Sequence, residues 1–293
     1  MSDKRLRELI AAFLSDRVAL LGALALIIVV LAALFAPLIA PQNPYDLSVL
    51  NIEDTKLAPG ARSASTGLFY FLGTDEQGRD MLSAILYGLR MSLWVGVVST
   101  LLALLIGSSL GLIAGYFGGR VDAMLMRIAD IQLSFPAILI ALILLAVLGQ
   151  GSGKIVTALV AVQWAFYART ARGAALVERS KEYVEAANCL GLSTSRVIFS
   201  HVLPNCVAPL IIVAALQVAS AITLEATLSF LGIGLPITEP SLGLLIANGF
   251  RQLLSGKYWI SFYPGLALLF TIVAINLVAD RLRDILNPRL QTI

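Results

Sequence analysis

The sequence predicts an all-α integral membrane protein that crosses the bilayer six times. Three observations support this fold class: an apolar composition, a set of long uncharged runs, and an uneven distribution of Lys and Arg. Hydrophobic residues make up 58 % of the 293 residues, charged residues only 13 %, and the mean hydropathy is +0.88. A soluble domain could not bury that much apolar surface, so the composition excludes the ordinary globular classes.

Uncharged runs locate the six spans along the chain. They cover residues 18–38, 91–118, 131–153, 155–168, 202–224 and 258–279. Five of them are long enough to cross a hydrocarbon core of about 30 Å at about 1.5 Å per residue. The run at 155–168 is shorter, and it crosses only if the helix continues to Val177, with Arg169 and Arg172 extending to the cytoplasmic headgroups. The first run is too long for the core of a signal peptide and predicts an uncleaved transmembrane helix.

The distribution of basic residues predicts the orientation. With the N-terminus inside, the cytoplasmic segments carry fourteen Lys and Arg residues and the outer segments seven, of 21 in all. Because basic residues accumulate on the cytoplasmic side, both termini are predicted to be cytoplasmic. The same topology places residues 178–205 in the cytoplasm, between helices four and five.

Two outer segments differ from the spans. Residues 40–90 are polar and rich in turns, and they complete an N-terminal unit (1–90) that precedes a five-helix core (91–293). Residues 232–257 mix Pro and Gly with apolar residues, which predicts an irregular or re-entrant stretch that is buried in protein or lines water. Four charged residues of these segments are possible contacts for a receptor or an outer gate: Asp75, Arg79, Asp80 and Arg251. Charges in such loops are usually exposed and solvated.

A short charged helix is predicted at residues 180–190 of the cytoplasmic segment. Its apolar stripe consists of residues at positions i, i+3, i+4 and i+7, namely Tyr183, Ala186, Ala187 and Leu190. Because the side chains of the two alanines are small, a groove on another protein can approach the helix backbone closely. The pattern alone leaves a second interpretation open, since an amphipathic helix that lies on the membrane or on its own bundle has the same stripe.

The ends of this helix carry their own signals. Glu182 and Glu185 lie in its N-terminal half, where carboxylates suit the helix dipole. Gly191 stands at the C′ position, where a positive φ is expected. Ser193 is a candidate N-cap for a second helix, which Pro204 is expected to limit or redirect.

Motifs along the chain resemble a known transporter family. The string Glu185-Ala-Ala-x-x-x-Gly191-x9-His201-x-Leu-Pro204 is similar to the cytoplasmic EAA loop of binding-protein-dependent ABC importer permeases. Further strings resemble the second, or C-type, permease of dipeptide, oligopeptide and nickel importers: Gly73-Thr-Asp-x-x-Gly-Arg-Asp80, Arg90-Met-Ser-Leu93, Glu225-Ala-x-Leu-Ser-Phe-Leu-Gly232, Asp280-x-Leu-Arg-Asp284 and Asn287-Pro-Arg289. Departures occur at Ser241-Leu242-Gly243, where relatives often carry Ser-Trp-Gly, and at residues 58–71, which are longer than usual.

The resemblance implies a fold, a mechanism and partners. It implies the type I ABC importer permease fold in the bacterial inner membrane, with a coupling helix at 182–191 that docks on an ATP-hydrolysing subunit. The implied docking residues are Glu182, Tyr183, Glu185, Ala186, Ala187, Leu190 and Gly191. The implied partners are a homologous second permease, two cytoplasmic ATPases, an extracytoplasmic solute-binding protein and membrane lipid, and no nucleic acid. On this reading the chain is not an enzyme and binds no cofactor or metal, since ATP and Mg²⁺ belong to the ATPases.

Glu225 is the acidic residue deep inside the fifth apolar span. An intramembrane carboxylate marks a pathway, a gate or a paired site by default, or else it bonds a neighbouring helix. A rival function is a secondary transporter in which such a carboxylate binds the coupling ion, although one carboxylate and no inverted repeat argue against it. His201, the single histidine, has no second His or Cys cluster with which to form a metal site. The string at 149–154 fails as a phosphate-binding loop, because Ile155 follows Lys154 where Ser or Thr is required.

Overall fold

The computed structural model describes residues 11–286. The N-terminal tail at 1–10 and the motif at 287–289 lie outside the described residues. The α-helices are, in chain order, α1 Arg17–Leu34, α2 Ala36–Ile39, α3 Met81–Phe117, α4 Gly119–Leu133, α5 Ala137–Leu148, α6 Ser152–Arg179, α7 Glu182–Cys189, α8 Thr194–Val197, α9 Leu203–Phe230, α10 Leu242–Gln252 and α11 Trp259–Leu286. A π-turn at Ile198–Val202 joins α8 to α9, and 3₁₀ turns lie at Leu47–Val49, Ile52–Asp54 and Leu253–Ser255. The predicted helical class is confirmed.

Four helical segments of the described chain are long and apolar enough to cross a membrane: α1, α3, the continuous stretch from α8 through α9, and α11. A fifth candidate is the pair α4–α5, which is bent by 90°. The count of six helices and the orientation of the termini remain predictions.

The outer loop between α2 and α3 contains a small antiparallel hairpin. Strand β1 (Ala61–Arg62) pairs with β2 (Phe69–Tyr70), and Ala61 lies opposite Tyr70. The Tyr70 hydroxyl donates to the Asp54 carboxylate at 2.9 Å, and both side chains are buried. Polar contacts within the loop therefore stabilise its folded structure.

Helix α3 starts before the uncharged run that was predicted at 91–118. Its N-cap is Asp80, whose carboxylate accepts a hydrogen bond from the backbone N–H of Ser83 at 2.7 Å. Arg90 immediately precedes the predicted run and set its N-terminal limit. Its side chain is exposed on the surface of the continuous helix. The predicted boundary between 1–90 and 91–293 therefore falls inside α3.

The third predicted span, at 131–153, is not one straight helix. It breaks around Pro136, which precedes α5 and cannot donate a helical hydrogen bond. Helix α5 has only 12 residues, about 18 Å of helix. The fourth predicted span, by contrast, lies within a helix of 28 residues, α6.

Ion pairs join α4 to α6 through the two arginines that were predicted to extend to the headgroups, and that placement stays a prediction. Arg169 donates to Asp130 at 2.6 Å. Arg172 binds Asp122 through two hydrogen bonds, of 2.5 and 2.6 Å. Because the carboxylates of α4 lie beside α6, both guanidinium groups pair with them, and Arg172 does so in the bidentate geometry that Arg favours.

Pro204 does not end or redirect the helix, contrary to expectation. The π-turn precedes it, and the N–H of Leu203 donates to the carbonyl of Ile198, five residues back. Proline is tolerated in the first turn of α9, where a wide turn relieves the clash of its ring with the preceding backbone. As a result, one continuous helical segment of 37 residues runs from Thr194 to Phe230.

Helices α3 and α6 pack in close backbone contact. A Cβ atom on Gly107 would lie 2.2 Å from the carbonyl oxygen of Trp164, and one on Gly111 would lie 2.2 Å from that of Ala168. Small residues at such spacing let two membrane helices bring their backbones together. This contact positions the C-terminal end of α6, from which the candidate site begins.

Helix α10 occupies the centre of the stretch at 232–257, which was predicted to be irregular or re-entrant. Its N-cap is Ser241, and Leu242, Leu244 and Leu245 are buried. A Cβ atom on Gly243 would lie 2.1 Å from the carbonyl oxygen of Ala226, so α10 packs directly on α9. Most of α10 is therefore buried in protein, whereas Phe250 in its last turn and Leu254 just after it are exposed.

Candidate functional site

Helix α7 is the centre of the candidate site. It comprises eight residues, Glu182–Cys189, between the end of α6 and the start of α8. Glu182 and Glu185 lie in its first turn, as predicted, where the helix dipole favours carboxylates. Gly191 has a φ of +71°, which confirms the predicted C′ conformation, and Ser193 is the N-cap residue of α8.

The buried face of α7 consists of Val184 and Ala187. Their exposed fractions are 0 % and 4 %, and both belong to one hydrophobic cluster with residues of α3, α6 and α9. The predicted stripe is therefore wrong as a single face: Ala187 is buried, whereas Tyr183, Ala186 and Leu190 are exposed. Apolar residues occur on both sides of this helix, and the position of the bundle decides which side is covered.

The exposed face of α7 combines charge with apolar surface. Glu182 and Glu185 make no side-chain hydrogen bond or ion pair with any residue in the described part of the chain. Leu190 is 80 % exposed at the end of the helix. A Cβ atom on Gly191 would meet nothing within 4 Å, so the turn itself is open. This surface can receive a groove that offers basic groups around an apolar floor.

A hydrogen-bond network fixes α7 to its neighbours. The Tyr183 hydroxyl donates to Glu178 at 2.5 Å and accepts from the Asn205 amide at 3.0 Å. On the other side of the helix, the Tyr116 hydroxyl of α3 donates to the Asn188 side chain at 3.1 Å. Together with the buried face, these bonds connect α7 to α3, α6 and α9.

Sequence reasoning missed the partners in this network. Glu178 and Asn205 lie 27 residues apart in the chain, and Tyr116 is more distant still. No local periodicity marks such contacts, because they depend on how three helices pack. A signal was available only for Glu178, a carboxylate three residues before Lys181 at a helix end.

Glu225 is fully buried and lies between two helices of the same subunit. Its carboxylate accepts hydrogen bonds from Ser92 of α3 and from Ser229 of α9, both at 2.8 Å. Ser92 and Ser229 are themselves buried. The arrangement suits a tie between α3 and α9, and a role for Glu225 in the pathway or gate stays a prediction.

Replacing Glu225 with leucine is expected to destabilise the subunit by about 2 kcal/mol, because the buried serine hydroxyls lose their acceptor. Glu225→Gln, which keeps a carbonyl acceptor, is expected to lose less. The thermal unfolding midpoint of the purified chain in detergent measures both variants. Equal midpoints for wild type and Glu225→Leu would show that the hydrogen bonds to Glu225 do not stabilise the subunit.

The outer charged residues are not the exposed loop charges that were expected. Asp75, Arg79 and Asp80 are each at most 1 % exposed. Arg79 donates through Nε to Asp75 at 2.7 Å, and its Nη1 lies 3.4 Å from the carbonyl oxygen of Ile237. Burial raises the pKa of Asp80, against the hydrogen bonds that its carboxylate accepts. The three residues therefore bind the outer loop to the bundle, whereas Arg251 is exposed and stays a predicted contact.

Comparisons with known proteins agree with this architecture. Residues 107–292 match the model of the binding-protein-dependent transport system inner membrane component family. Residues 4–59 match that of the N-terminal TM domain of oligopeptide transport permease C. A chain of the inward-facing MetNI methionine ABC transporter superposes with a TM-score of 0.57 at 18 % identity, covering 71 % of this chain and 98 % of that one, which shows a shared fold.

Relatives align over nearly the whole chain. The di/tripeptide transport system permease protein DppC of Pseudomonas aeruginosa is 38 % identical, covering 98 % of this chain and 93 % of its own. The dipeptide permease DppC of Haemophilus influenzae is 37 % identical (98 % and 95 % covered), and the oligopeptide permease OppC of Bacillus subtilis is 35 % identical (97 % and 90 % covered). The chain therefore belongs to the binding-protein-dependent transport system inner membrane component family, as a multi-pass permease of the inner membrane with the type I ABC importer fold.

Proposed function

We propose that this chain forms half of the translocation pathway of an ABC importer for dipeptides or oligopeptides. The relatives named for peptide transport support the substrate class, since their alignments cover 97–98 % of this chain. The other half of the pathway is a homologous second permease. An extracytoplasmic solute-binding protein delivers the peptide, and two cytoplasmic ATPases supply the energy. The chain itself binds no cofactor, because ATP and Mg²⁺ are bound by the ATPases.

The observation that carries the proposal is the two-sided character of α7. One face, Val184 and Ala187, is embedded in the same apolar cluster as the long helices. The other face presents Glu182, Glu185 and Leu190 without partners among residues 11–286. A helix that is anchored inside and unpaired outside is suited to transmit the motion of a docked subunit to the bundle.

Helix α7 then acts as a coupling helix. Closure of the two ATPases on ATP brings their two docked helices together, and the continuous segments α6 and α9 carry that displacement into the membrane. The pathway changes between inward and outward access as a two-state equilibrium, which ATP and the loaded receptor both shift.

Glu185→Lys is expected to weaken ATPase binding at least about tenfold, because it reverses a charge at the docking surface. The exposed carboxylate has no partner within the described residues, so membrane insertion and folding should not change. Co-purification of the ATPases with the tagged permease measures binding. Glu53→Lys, the same reversal on an exposed outer residue, is the matched control.

Normal ATPase recovery with Glu185→Lys would contradict the docking role. Peptide uptake by proteoliposomes that contain this chain alone, driven by a proton or sodium gradient, would instead identify a secondary transporter. Reconstitution with the second permease and the ATPases should produce uptake only with ATP and the receptor present.

A further inference from the structure

The Tyr183 hydroxyl lies between the ends of two long helices. It donates to the carboxylate of Glu178, in the last turn of α6, at 2.5 Å. It accepts from the side-chain amide of Asn205, in the first turn of α9, at 3.0 Å. One hydroxyl on the short helix α7 thus contacts both the helix that enters the cytoplasmic loop and the helix that leaves it.

Both partners of Tyr183 are themselves held in place. Glu178 is 8 % exposed, and its second oxygen accepts from the Lys181 ammonium at 2.5 Å. Asn205 donates its amide also to the carbonyl of His201, at 2.8 Å. Because each partner has a second hydrogen bond within the subunit, the position of the Tyr183 hydroxyl is fixed from both α6 and α9.

The protonation state of Tyr183 suits this arrangement. Burial, and then the hydrogen bond to Glu178, raise the pKa of Tyr183 to about 12. The hydroxyl therefore stays protonated at any physiological pH, and the hydrogen bond to the carboxylate is charge-assisted and short.

Apolar contacts constrain the orientation of α7 less tightly than hydrogen bonds do. Its buried side chains are Val184 and Ala187, which are small and make non-directional contacts. Hydrogen bonds are directional, so the Tyr183 hydroxyl resists rotation and sliding of the helix more than the small apolar face does.

We propose that Tyr183 is a positioning residue that fixes α7 to α6 and α9, so that displacement of the docked ATPases moves the membrane helices. This proposal rests on the coupling function proposed above. It assigns the Tyr183 hydroxyl to Glu178 and Asn205 within the subunit and not to the ATPase, while the ring stays on the exposed face. The charged and apolar docking contacts are then made chiefly by Glu182, Glu185 and the residues near Leu190.

The test is Tyr183→Phe in the reconstituted importer, with uptake and ATP hydrolysis measured in the same proteoliposomes. Phenylalanine keeps the ring and removes only the hydroxyl, so ATPase co-purification should equal that of wild type. Uptake per ATP hydrolysed should fall about tenfold, which is the expected effect of losing a hydrogen bond to a charged group. Tyr258→Phe is the matched control, since Tyr258 is exposed and lies far from α7 in the chain.

Asn205→Leu is the second variant in this test, and it removes the other hydrogen-bond partner of the Tyr183 hydroxyl. Because Tyr183 and Asn205 act through one hydroxyl, the double variant should lose little more coupling than either single variant. Normal uptake per ATP in Tyr183→Phe would overturn the proposal. Loss of ATPase co-purification in that variant would also overturn it and assign the Tyr183 hydroxyl to the docking surface. Failure of the coupling function itself has a different signature, since the wild-type chain would then bind no ATPase.

Discussion

Gly111→Leu will destabilise the permease by about 3 kcal/mol, because the new side chain has no room between α3 and α6. A Cβ atom at this position would lie 2.2 Å from the carbonyl oxygen of Ala168 and 2.8 Å from the Cβ of Ala171. Most of the obstruction is backbone, which cannot move aside as the end of a side chain can. The two helices must therefore move apart. The contact between them that positions the end of α6 is then lost.

The thermal unfolding midpoint and the monodisperse yield in detergent measure this effect. Gly173→Leu is the matched control, because Gly173 lies on α6 and a Cβ atom there would meet nothing within 4 Å. That variant should be at least as stable as wild type, since leucine favours helix over glycine by roughly 1 kcal/mol. A similar loss in both variants would show that the contact between α3 and α6 is not the cause.

Asp75→Ala is expected to cost about 4 kcal/mol, because it leaves the Arg79 guanidinium buried without its carboxylate. Asp75 also accepts hydrogen bonds from the backbone N–H groups of Gln77 and Arg79, at 2.8 and 3.0 Å. The outer loop is expected to detach from the bundle locally, since Arg79 Nη1 also approaches the carbonyl of Ile237 in the segment before α10.

Limited proteolysis of residues 40–80 from the outer side, alongside the unfolding midpoint, measures this detachment. Glu53→Ala, which changes an exposed acidic residue of the same loop, should behave as wild type. The double variant Asp75→Leu with Arg79→Met should recover part of the loss, because it removes the unpaired buried guanidinium. The backbone N–H groups of Gln77 and Arg79 still lose their acceptor, so recovery is incomplete. Wild-type protection of the loop in Asp75→Ala would show that the buried pair does not hold it.

The two outcomes on α7 show where sequence reasoning succeeded and where it could not. Gly191 was predicted from its residue type and position, because few residues other than glycine adopt a positive φ at a helix end. The apolar stripe through Tyr183 and Leu190 was not confirmed as one face, because Val184 competes with it on the same short helix. Over eight residues, periodicity does not decide which of two apolar sides the bundle covers.

The prediction that the charged residues of the outer loop are exposed was wrong for a different reason. Arg and Asp are almost always exposed, so burial of Asp75 and Arg79 is the less expected state for each residue considered singly. It becomes favourable only for the pair, and only when backbone donors and a carbonyl from a distant segment are also present. The ion pairs of Arg169 and Arg172 are less buried, but they too depend on distant segments, since their partners on α4 become neighbours only after the chain bends around Pro136.

The sequence by itself determined the membrane class, the location of most apolar helices, the turn at Gly191 and, through its motifs, the family. These features depend on residue type and short spacing, which are local properties of the chain. Only the tertiary structure decided which face of α7 is anchored, that Glu225 bonds Ser92 and Ser229, and that Tyr183 connects α6 to α9. Each of these depends on contacts between residues far apart in the chain, and their geometry is set by how the helices pack.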